Sequence, residues 1–121
     1  MDELSAFIIE DEADLAEIFS ESLRAAGFQP EIIHDGLLAS RRLAECVPDL
    51  IVLDMHLPGM DGSDLLRQIS DDQRLRSTRV IVATADHNMT IALPRNPDMV
   101  LLKPISFGQL RDLSIRLKQL I

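Results

Sequence analysis

The sequence is short of the residues on which several classes of protein depend. It has no Trp or Tyr and only four Phe, so it lacks the stacking platform of a single-strand nucleic-acid binder. Its one cysteine, Cys46, cannot form a disulfide within the chain and suits a reducing compartment. No apolar run approaches the ~20 residues of a membrane-spanning helix. These absences predict a cytoplasmic protein that binds neither nucleic acid directly nor a membrane.

The net charge of −8 is concentrated at the start of the chain. Eight acidic residues precede the first base, Arg24, and residues 24–121 hold twelve acids and twelve bases. An acidic chain without a basic run is a poor match for nucleic acid or for an anionic membrane. The N-terminus has acids where a secretory signal has bases, which also favours the cytoplasm.

Five short apolar runs alternate with longer segments of helical pattern. Four of the runs are continuously apolar, which is typical of parallel strands covered on both faces. The run containing Glu31 is the weakest, so we expect it near an edge of the sheet. The length fits one domain, residues 1–121, and the alternation predicts an α/β fold. In that fold a doubly wound, five-stranded parallel sheet carries helices on both faces. The runs are 7–9, 31–33, 50–53, 80–83 and 99–102.

Helix ends and apolar stripes can be predicted between the runs. Asp14 with Glu17 predicts a capping box for the first helix, and Ser106 with Gln109 predicts one for the last. The second helix is expected to start at Asp35 and the third near Asp61 or Ser63. A helix between residues 86 and 93 would be stopped by the prolines that follow. The expected core-facing residues are Leu15, Ile18, Phe19, Leu23 and Ala26; Leu37, Leu38 and Leu43; Leu65, Leu66 and Ile69; and Leu110, Leu113, Leu117 and Leu120.

Polar residues with complementary chemistry follow four of the predicted strands. In open parallel sheets the ligand site lies at the carboxyl ends of the strands, so these side chains are expected to converge. Clustered carboxylates favour a hard cation such as Mg²⁺, and a carboxylate can attack phosphorus to form an acyl phosphate. A lysine and a threonine can hold the remaining phosphoryl oxygens. The residues are Glu10, Asp11, Asp54, Thr84 and Lys103.

With these residues in this order and at these positions, the chain resembles a response-regulator receiver domain of two-component signalling. The resemblance covers essentially the whole chain and is carried by Glu10-Asp11, by the segment IVLDMHLPGMDG at 51–62, by Thr84-Ala85 and by Lys103-Pro104. It implies the flavodoxin-like (βα)₅ sandwich of the chemotaxis regulators. It also implies a signalling domain that catalyses only its own aspartyl phosphorylation and dephosphorylation.

The resemblance further implies a role for each residue of the site. Asp54 would be the phosphoacceptor, and Thr84 and Lys103 would bind the phosphoryl group. The ligands of Mg²⁺ (or Mn²⁺) would be Glu10, Asp11, Asp54 and the backbone carbonyl of Met55. His56 and Asp86 would modulate the lifetime of the phosphate; the alternative is that both are ordinary exposed polar residues. The expected donor is a sensor histidine kinase or a histidine phosphotransfer protein, and a phosphorylation-linked dimer is a further expectation.

The sequence departs from the family in the region that usually transmits the signal. Val100 stands where receivers carry an aromatic switch residue, and the segment from Thr84 to Lys103 is short and broken by prolines. We therefore expect phosphorylation to reshape residues 86–98. The alternative function is a receiver-like docking module without phosphoryl control. An aspartyl-phosphate phosphatase is disfavoured, because His56 occupies the position of its second acid.

Overall fold

The structure, a computed structural model, describes residues 3–86 and 97–121. Its strands are β1 (Leu4–Ile9), β2 (Phe28–Ile33), β3 (Leu50–Asp54), β4 (Arg79–Thr84) and β5 (Met99–Leu102). Its helices are α1 (Ala13–Ala25), α2 (Gly36–Glu45), α3 (Gly62–Asp71) and α4 (Phe107–Lys118), with a 3₁₀ turn at Gln73–Leu75. Among the described residues, every helix is too short or too polar to cross a lipid bilayer.

The five strands form one parallel sheet in the order β2-β1-β3-β4-β5. The predicted doubly wound α/β fold is therefore confirmed, and β2 lies at an edge as expected. β3 occupies the centre of the sheet, and all five of its residues are buried. A strand covered on both faces has to be apolar throughout, which explains the uninterrupted run from Leu50 to Leu53.

The hydrophobic core consists of two clusters separated by the sheet. Successive strand residues point to opposite faces, so alternate residues of each central strand enter different clusters. On the face covered by α1 and α4, the cluster includes Ile8, Val52, Ile81, Phe19, Leu23 and Leu110. On the face covered by α2 and α3, it includes Ile9, Leu53, Val82, Leu43, Leu65 and Leu66. Helices on both faces complete the three-layer sandwich.

The start of α1 differs from the prediction. The N-cap is Glu12, whose side chain makes no capping hydrogen bond, and Asp14 lies within the first turn. The helix begins earlier because the carbonyl of Glu12 already accepts a hydrogen bond from the amide of Ala16, at 3.0 Å. The capping box of Asp14 with Glu17 is therefore wrong, although an acid in the first turn still suits the helix dipole.

Some residues predicted to face the core are exposed. Ile18 is 42 % exposed, because it lies one position off the buried stripe that contains Phe19. Leu37 and Leu38, in the first turn of α2, are also about half exposed, and the buried residues of this helix are Gly36, Ala39 and Leu43. Leu120 lies beyond the end of α4 and is exposed as well. The other predicted core residues of these helices are buried or partly buried.

The remaining helix starts agree with the sequence. The Asp35 carboxylate accepts a hydrogen bond from the amide of Leu38 at 2.7 Å, and Ser106 caps Gln109 at 3.0 Å. Asp61 occupies the N-cap of α3, but its carboxylate instead accepts a hydrogen bond from the hydroxyl of Ser63. The helix predicted between residues 86 and 93, and most of the segment expected to respond to phosphorylation, lie outside the described residues.

Candidate functional site

Three carboxylates meet at the carboxyl edge of the sheet, as predicted. Ile9 of β1 is paired with Leu53 of β3, so the residues that follow them, Glu10 and Asp54, are brought side by side. Each of Glu10, Asp11 and Asp54 offers an oxygen, and the three oxygens lie within 4.8 Å of one another. Glu10 and Asp54 are only 2 % and 5 % exposed, whereas Asp11 is open to solvent.

Lys103 places its ammonium beside the two buried carboxylates. It follows β5, and its amide donates to the carbonyl of Thr84 at 2.8 Å, which fixes the main chain at this point. Its Nζ donates to Oε1 of Glu10 at 2.8 Å and lies 3.6 Å from Oδ2 of Asp54. The long side chain thus carries one positive charge into a cluster of negative charge.

The pKa values of this cluster are shifted by burial and by the neighbouring charges. Burial raises the pKa of Glu10 and the charge of Asp54 adds to this, while the hydrogen bond from Lys103 only partly opposes it. Burial also lowers the pKa of Lys103, but the hydrogen bond to Glu10 and the charges of Asp54 and Glu10 outweigh it. The net effect is a Lys103 pKa above its ordinary value, so this residue is a cation at neutral pH.

The two oxygens of Asp54 have different surroundings. The amide of His56 donates to Oδ1 at 3.2 Å, while Oδ2 is the oxygen nearer to Lys103. These contacts hold the carboxylate in one orientation at the end of the central strand. The side chain of His56 is itself exposed beside the site.

The loop after β3 is held against α3 by a glycine. The amide of Gly62 donates to the carbonyl of Met55 at 3.2 Å. A Cβ at Gly62 would lie 2.4 Å from Cα of Met55 and 2.9 Å from the carbonyl oxygen of Asp54, a distance that Cβ atoms do not tolerate. A carbonyl oxygen has two lone pairs, so that of Met55 keeps one for a further ligand. The Gly that follows Asp61 therefore allows the close approach that positions Asp54.

Thr84 ends β4 with a buried hydroxyl. Its Oγ1 accepts a hydrogen bond from the amide of Asp86 at 3.0 Å. Because the hydroxyl is an acceptor in that bond, its own proton is left for another partner. Asp86 is partly buried next to it.

Sequence reasoning missed one contact of this site. His34 is exposed, but its Nδ1 lies 3.2 Å from the main-chain carbonyl oxygen of Glu10. It follows β2 directly, so the rule that identified the other strand-end residues also applies to it. The apolar pattern of β2 is weak, so the sequence does not mark His34 clearly as a strand-end residue.

The arrangement sets carboxylate oxygens that could hold a cation beside groups that could donate to a phosphoryl oxygen. Carboxylate and carbonyl oxygens are the ligands that Mg²⁺ and Mn²⁺ prefer, and three carboxylates within reach of one ion fit such a cation. An ammonium and a hydroxyl at neighbouring strand ends are donors of the kind that phosphoryl oxygens accept.

The site thus brings an acid pair, a strand-end aspartate and a lysine together at one edge of a doubly wound parallel sheet. The model of the response regulator receiver domain family matches residues 6–114, a range that includes every one of these residues. The chain belongs to the response-regulator receiver domain family of two-component signalling.

Curated relatives agree with this assignment. The chain is 33 % identical over 97 residues to the DNA-binding response regulator MtrA of Mycobacterium tuberculosis, covering 80 % of this chain and 42 % of that protein. It is 29 % identical over 106 residues to the sensory transduction protein RegX3 of Mycobacterium bovis, covering 88 % and 47 %. The chain thus spans less than half the length of these relatives.

Solved structures show the same fold. The signal receiver domain of a histidine kinase from Syntrophus aciditrophicus is 31 % identical, with a TM-score of 0.85 over 97 % of this chain and 91 % of that one. The receiver domain of the sensor histidine kinase PA1611 from Pseudomonas aeruginosa is 24 % identical, with a TM-score of 0.83 over 95 % and 97 %. That structure has a magnesium ion coordinated in its active site cleft.

Proposed function

We propose that this receiver accepts a phosphoryl group on Asp54 in a reaction that depends on Mg²⁺ or Mn²⁺. The observation that carries the proposal is the convergence of three carboxylates and one ammonium at the end of the central strand. A buried aspartate held beside a cation site and a lysine has the charge environment that a phosphoryl acceptor requires.

The proposed donor is a phosphohistidine on a sensor histidine kinase or a histidine phosphotransfer protein. A carboxylate oxygen of Asp54 forms a bond to phosphorus as the phosphorus–nitrogen bond of the donor breaks. The electron pair of that bond goes to the imidazole nitrogen, which takes a proton from solvent. The products are the acyl phosphate of Asp54 and a neutral histidine on the donor.

Glu10, Asp11, Asp54 and the carbonyl of Met55 would hold the divalent cation. When bound, the cation would neutralise the negative charge that gathers on the phosphoryl oxygens. The carboxylate oxygens within 4.8 Å of one another support this assignment, as does the magnesium ion in the active site cleft of the PA1611 receiver.

Lys103 and Thr84 would bind the phosphoryl oxygens. The ammonium of Lys103 is within reach of both Glu10 and Asp54, so it can exchange part of its contact with Glu10 for the incoming dianion. The free proton of the Thr84 hydroxyl supplies a second donor. Both contacts are stronger with a charged phosphoryl oxygen than with a neutral acceptor.

His56 and Asp86 are the proposed modulators of phosphate lifetime, since they flank Asp54 and Thr84 at the open side of the site. We propose that residues 1–121 form one receiver domain that works in the cytoplasm and makes no direct contact with nucleic acid. The DNA binding in the name of MtrA belongs to that longer protein. A phosphorylation-linked dimer is a further proposal.

The test is phosphorylation by a small donor, which needs no knowledge of the kinase. The protein is incubated with Mg²⁺ and acetyl phosphate or phosphoramidate, and mass spectrometry is used to detect one added phosphoryl group. The adduct should map to Asp54, disappear in Asp54→Asn and disappear when the cation is chelated. Asp71→Asn, which changes an exposed carboxylate at the end of α3, is the matched control and should retain it. If no donor gives an adduct, a docking module without phosphoryl control is favoured instead.

A further inference from the structure

The segment that joins β2 to α2 contacts the loops that follow β1 and β3, beside the three carboxylates, although it contributes none of them. His34 places its Nδ1 3.2 Å from the carbonyl oxygen of Glu10, in the loop after β1. The amide of Gly36 donates to the carbonyl of Pro58 at 2.9 Å, in the loop after β3. The loop that carries Glu10 and the loop that follows Asp54 are thus both bonded to this third segment.

The contact between His34 and Glu10 fixes which ring nitrogen carries the proton. A carbonyl oxygen can only accept a hydrogen bond, so Nδ1 must be the donor. In the neutral ring, the proton is then on Nδ1, and Nε2 has a free lone pair. This is a defined tautomer, and it can be observed directly.

The contact of His34 matters because the carbonyl that accepts it lies between two of the acidic residues. The carbonyl of Glu10 belongs to the planar peptide unit that joins Glu10 to Asp11, so holding it fixes the orientation of that whole unit. The last main-chain bond between the two strands runs from the amide of Glu10 to the carbonyl of Ile33, at 3.0 Å. The ring of His34 adds one more bond beyond that point, where the chain has already left the sheet.

We infer that His34 is a positioning residue: by donating its Nδ1–H to the carbonyl of Glu10, it holds Glu10 and Asp11 in the orientation that binds a divalent cation. The inference rests on the proposed function, since its consequence is cation affinity. His34 contributes no ligand itself and acts through the peptide unit between the two acids. Groups that orient metal ligands commonly affect the affinity of the ion.

Two variants distinguish the effect of the hydrogen bond from the effect of the imidazole ring. His34→Leu removes the donor, whereas His34→Asn places an amide N–H close to where Nδ1 lies. Gln73→Leu, an exposed polar-to-apolar change in the 3₁₀ turn, is the control. Mg²⁺ affinity is measured by calorimetry, and thermal unfolding without Mg²⁺ shows whether each variant is folded. The nitrogen chemical shifts of the His34 ring, measured by NMR at a pH where it is neutral, report the tautomer of the metal-free protein.

The wild type should show the Nδ1–H tautomer. In His34→Leu the Kd for Mg²⁺ should rise about two- to fivefold, the change expected from the loss of one hydrogen bond. His34→Asn should restore most of the affinity, and Gln73→Leu should not change it. Unchanged affinity in His34→Leu, no recovery in His34→Asn, or an Nε2–H tautomer would each overturn the inference. Absence of Mg²⁺ binding in the wild type would instead contradict the proposed function, so the two failures are distinguishable.

Discussion

Lys103 and Glu10 form an ion pair across the carboxyl edge of the sheet, 2.8 Å between Nζ and Oε1, although 93 residues separate them in the sequence. Asp54 lies slightly farther from the same ammonium, at 3.6 Å. The ammonium therefore compensates two buried carboxylates. Removing one member of such a group leaves uncompensated charge in a buried site, which is costly.

Replacing Lys103 by Met should reduce the rate of phosphorylation at least about tenfold, since a charge-assisted hydrogen bond to the phosphoryl group contributes roughly 1.5–3 kcal/mol. The rate is followed by the mass gain with acetyl phosphate and Mg²⁺. Lys118→Met is the matched control. Lys118, the last residue of α4, donates to the carbonyl of Ala26 at the end of α1 and is remote from Asp54. A rate in Lys103→Met equal to that of Lys118→Met would mean that the ammonium has no part in the reaction.

Mg²⁺ binding should weaken as the pH falls, starting at a higher pH than an ordinary glutamate would cause. Burial raises the pKa of Glu10, so this carboxyl takes up a proton while most acids are still ionised, and the proton competes with the cation. Calorimetric titrations with Mg²⁺ over a series of pH values measure the effect. In Glu10→Gln the affinity should be lower throughout and less dependent on pH. A pH profile of the same shape in both proteins would show that Glu10 is not a ligand.

The pair of Glu31 and Arg42 should stabilise the protein at neutral pH but not in acid. Nε and Nη2 of Arg42 each donate to one oxygen of Glu31 at 2.7 Å, which holds the pKa of Glu31 below its ordinary value of 4.5. A lowered pKa in the folded state means that the stabilisation is complete above about 4.5 and is lost as the pH falls through the folded value. With side chains 30 % and 42 % exposed, the pair is screened by solvent and its contribution to stability is small.

Urea denaturation of Arg42→Gln at pH 7 and pH 3 tests this expectation. The free energy of unfolding should fall relative to wild type at pH 7, and the difference should shrink at pH 3. Arg41→Gln, an exposed neighbour on the same helix, is the control and should behave like wild type at both values. High salt should reduce the difference at pH 7, because exposed charges are screened. An equal loss at both pH values would assign the effect to the packing of Arg42 over the ring of Phe7.

Gly62→Ala should destabilise the protein by about 1–3 kcal/mol, because the new Cβ would overlap the backbone of Met55 and Asp54. It should also slow phosphorylation, since the chain can only relieve the overlap by moving the end of β3. Gly108→Ala is the control: its Cβ would find only a flexible arginine atom 3.7 Å away, so stability should be unchanged or rise by up to ~1 kcal/mol. Denaturation and the small-donor assay measure the two effects. Full stability in Gly62→Ala would show that the loop adjusts without strain.

The sheet and the cluster at its carboxyl edge could be predicted because they follow from local rules. Strands buried on both faces must be continuously apolar, as the run from Leu50 to Leu53 is, and parallel strands bring the residues after them together. This was sufficient to predict that Glu10, Asp54 and Lys103 meet. The positions of these residues directly after, or at the end of, predicted strands were therefore enough to predict that two acids and one base lie together.

Features that depend on how loops meet could not be predicted in this way. β2 begins at Phe28, three residues before the predicted run, because pairing with β1 extends it through Pro30, a residue that by itself indicates a turn. The true cap of α1 and the exposure of Leu37 depend on where each helix leaves the sheet edge. The contact of His34 with Glu10 depends on the angle between two loops, and no periodicity encodes that angle.

The position of β3 between two separate clusters has a consequence for how such a chain can diverge. Phe19 and Leu66 belong to different core clusters on opposite sides of the sheet, so a change in one is expected to constrain the other little. Selection can therefore remodel the α2–α3 layer for one partner and the α1–α4 layer for another, each at its own pace. The strand between them, which carries Asp54, belongs to both layers and has to satisfy both at once.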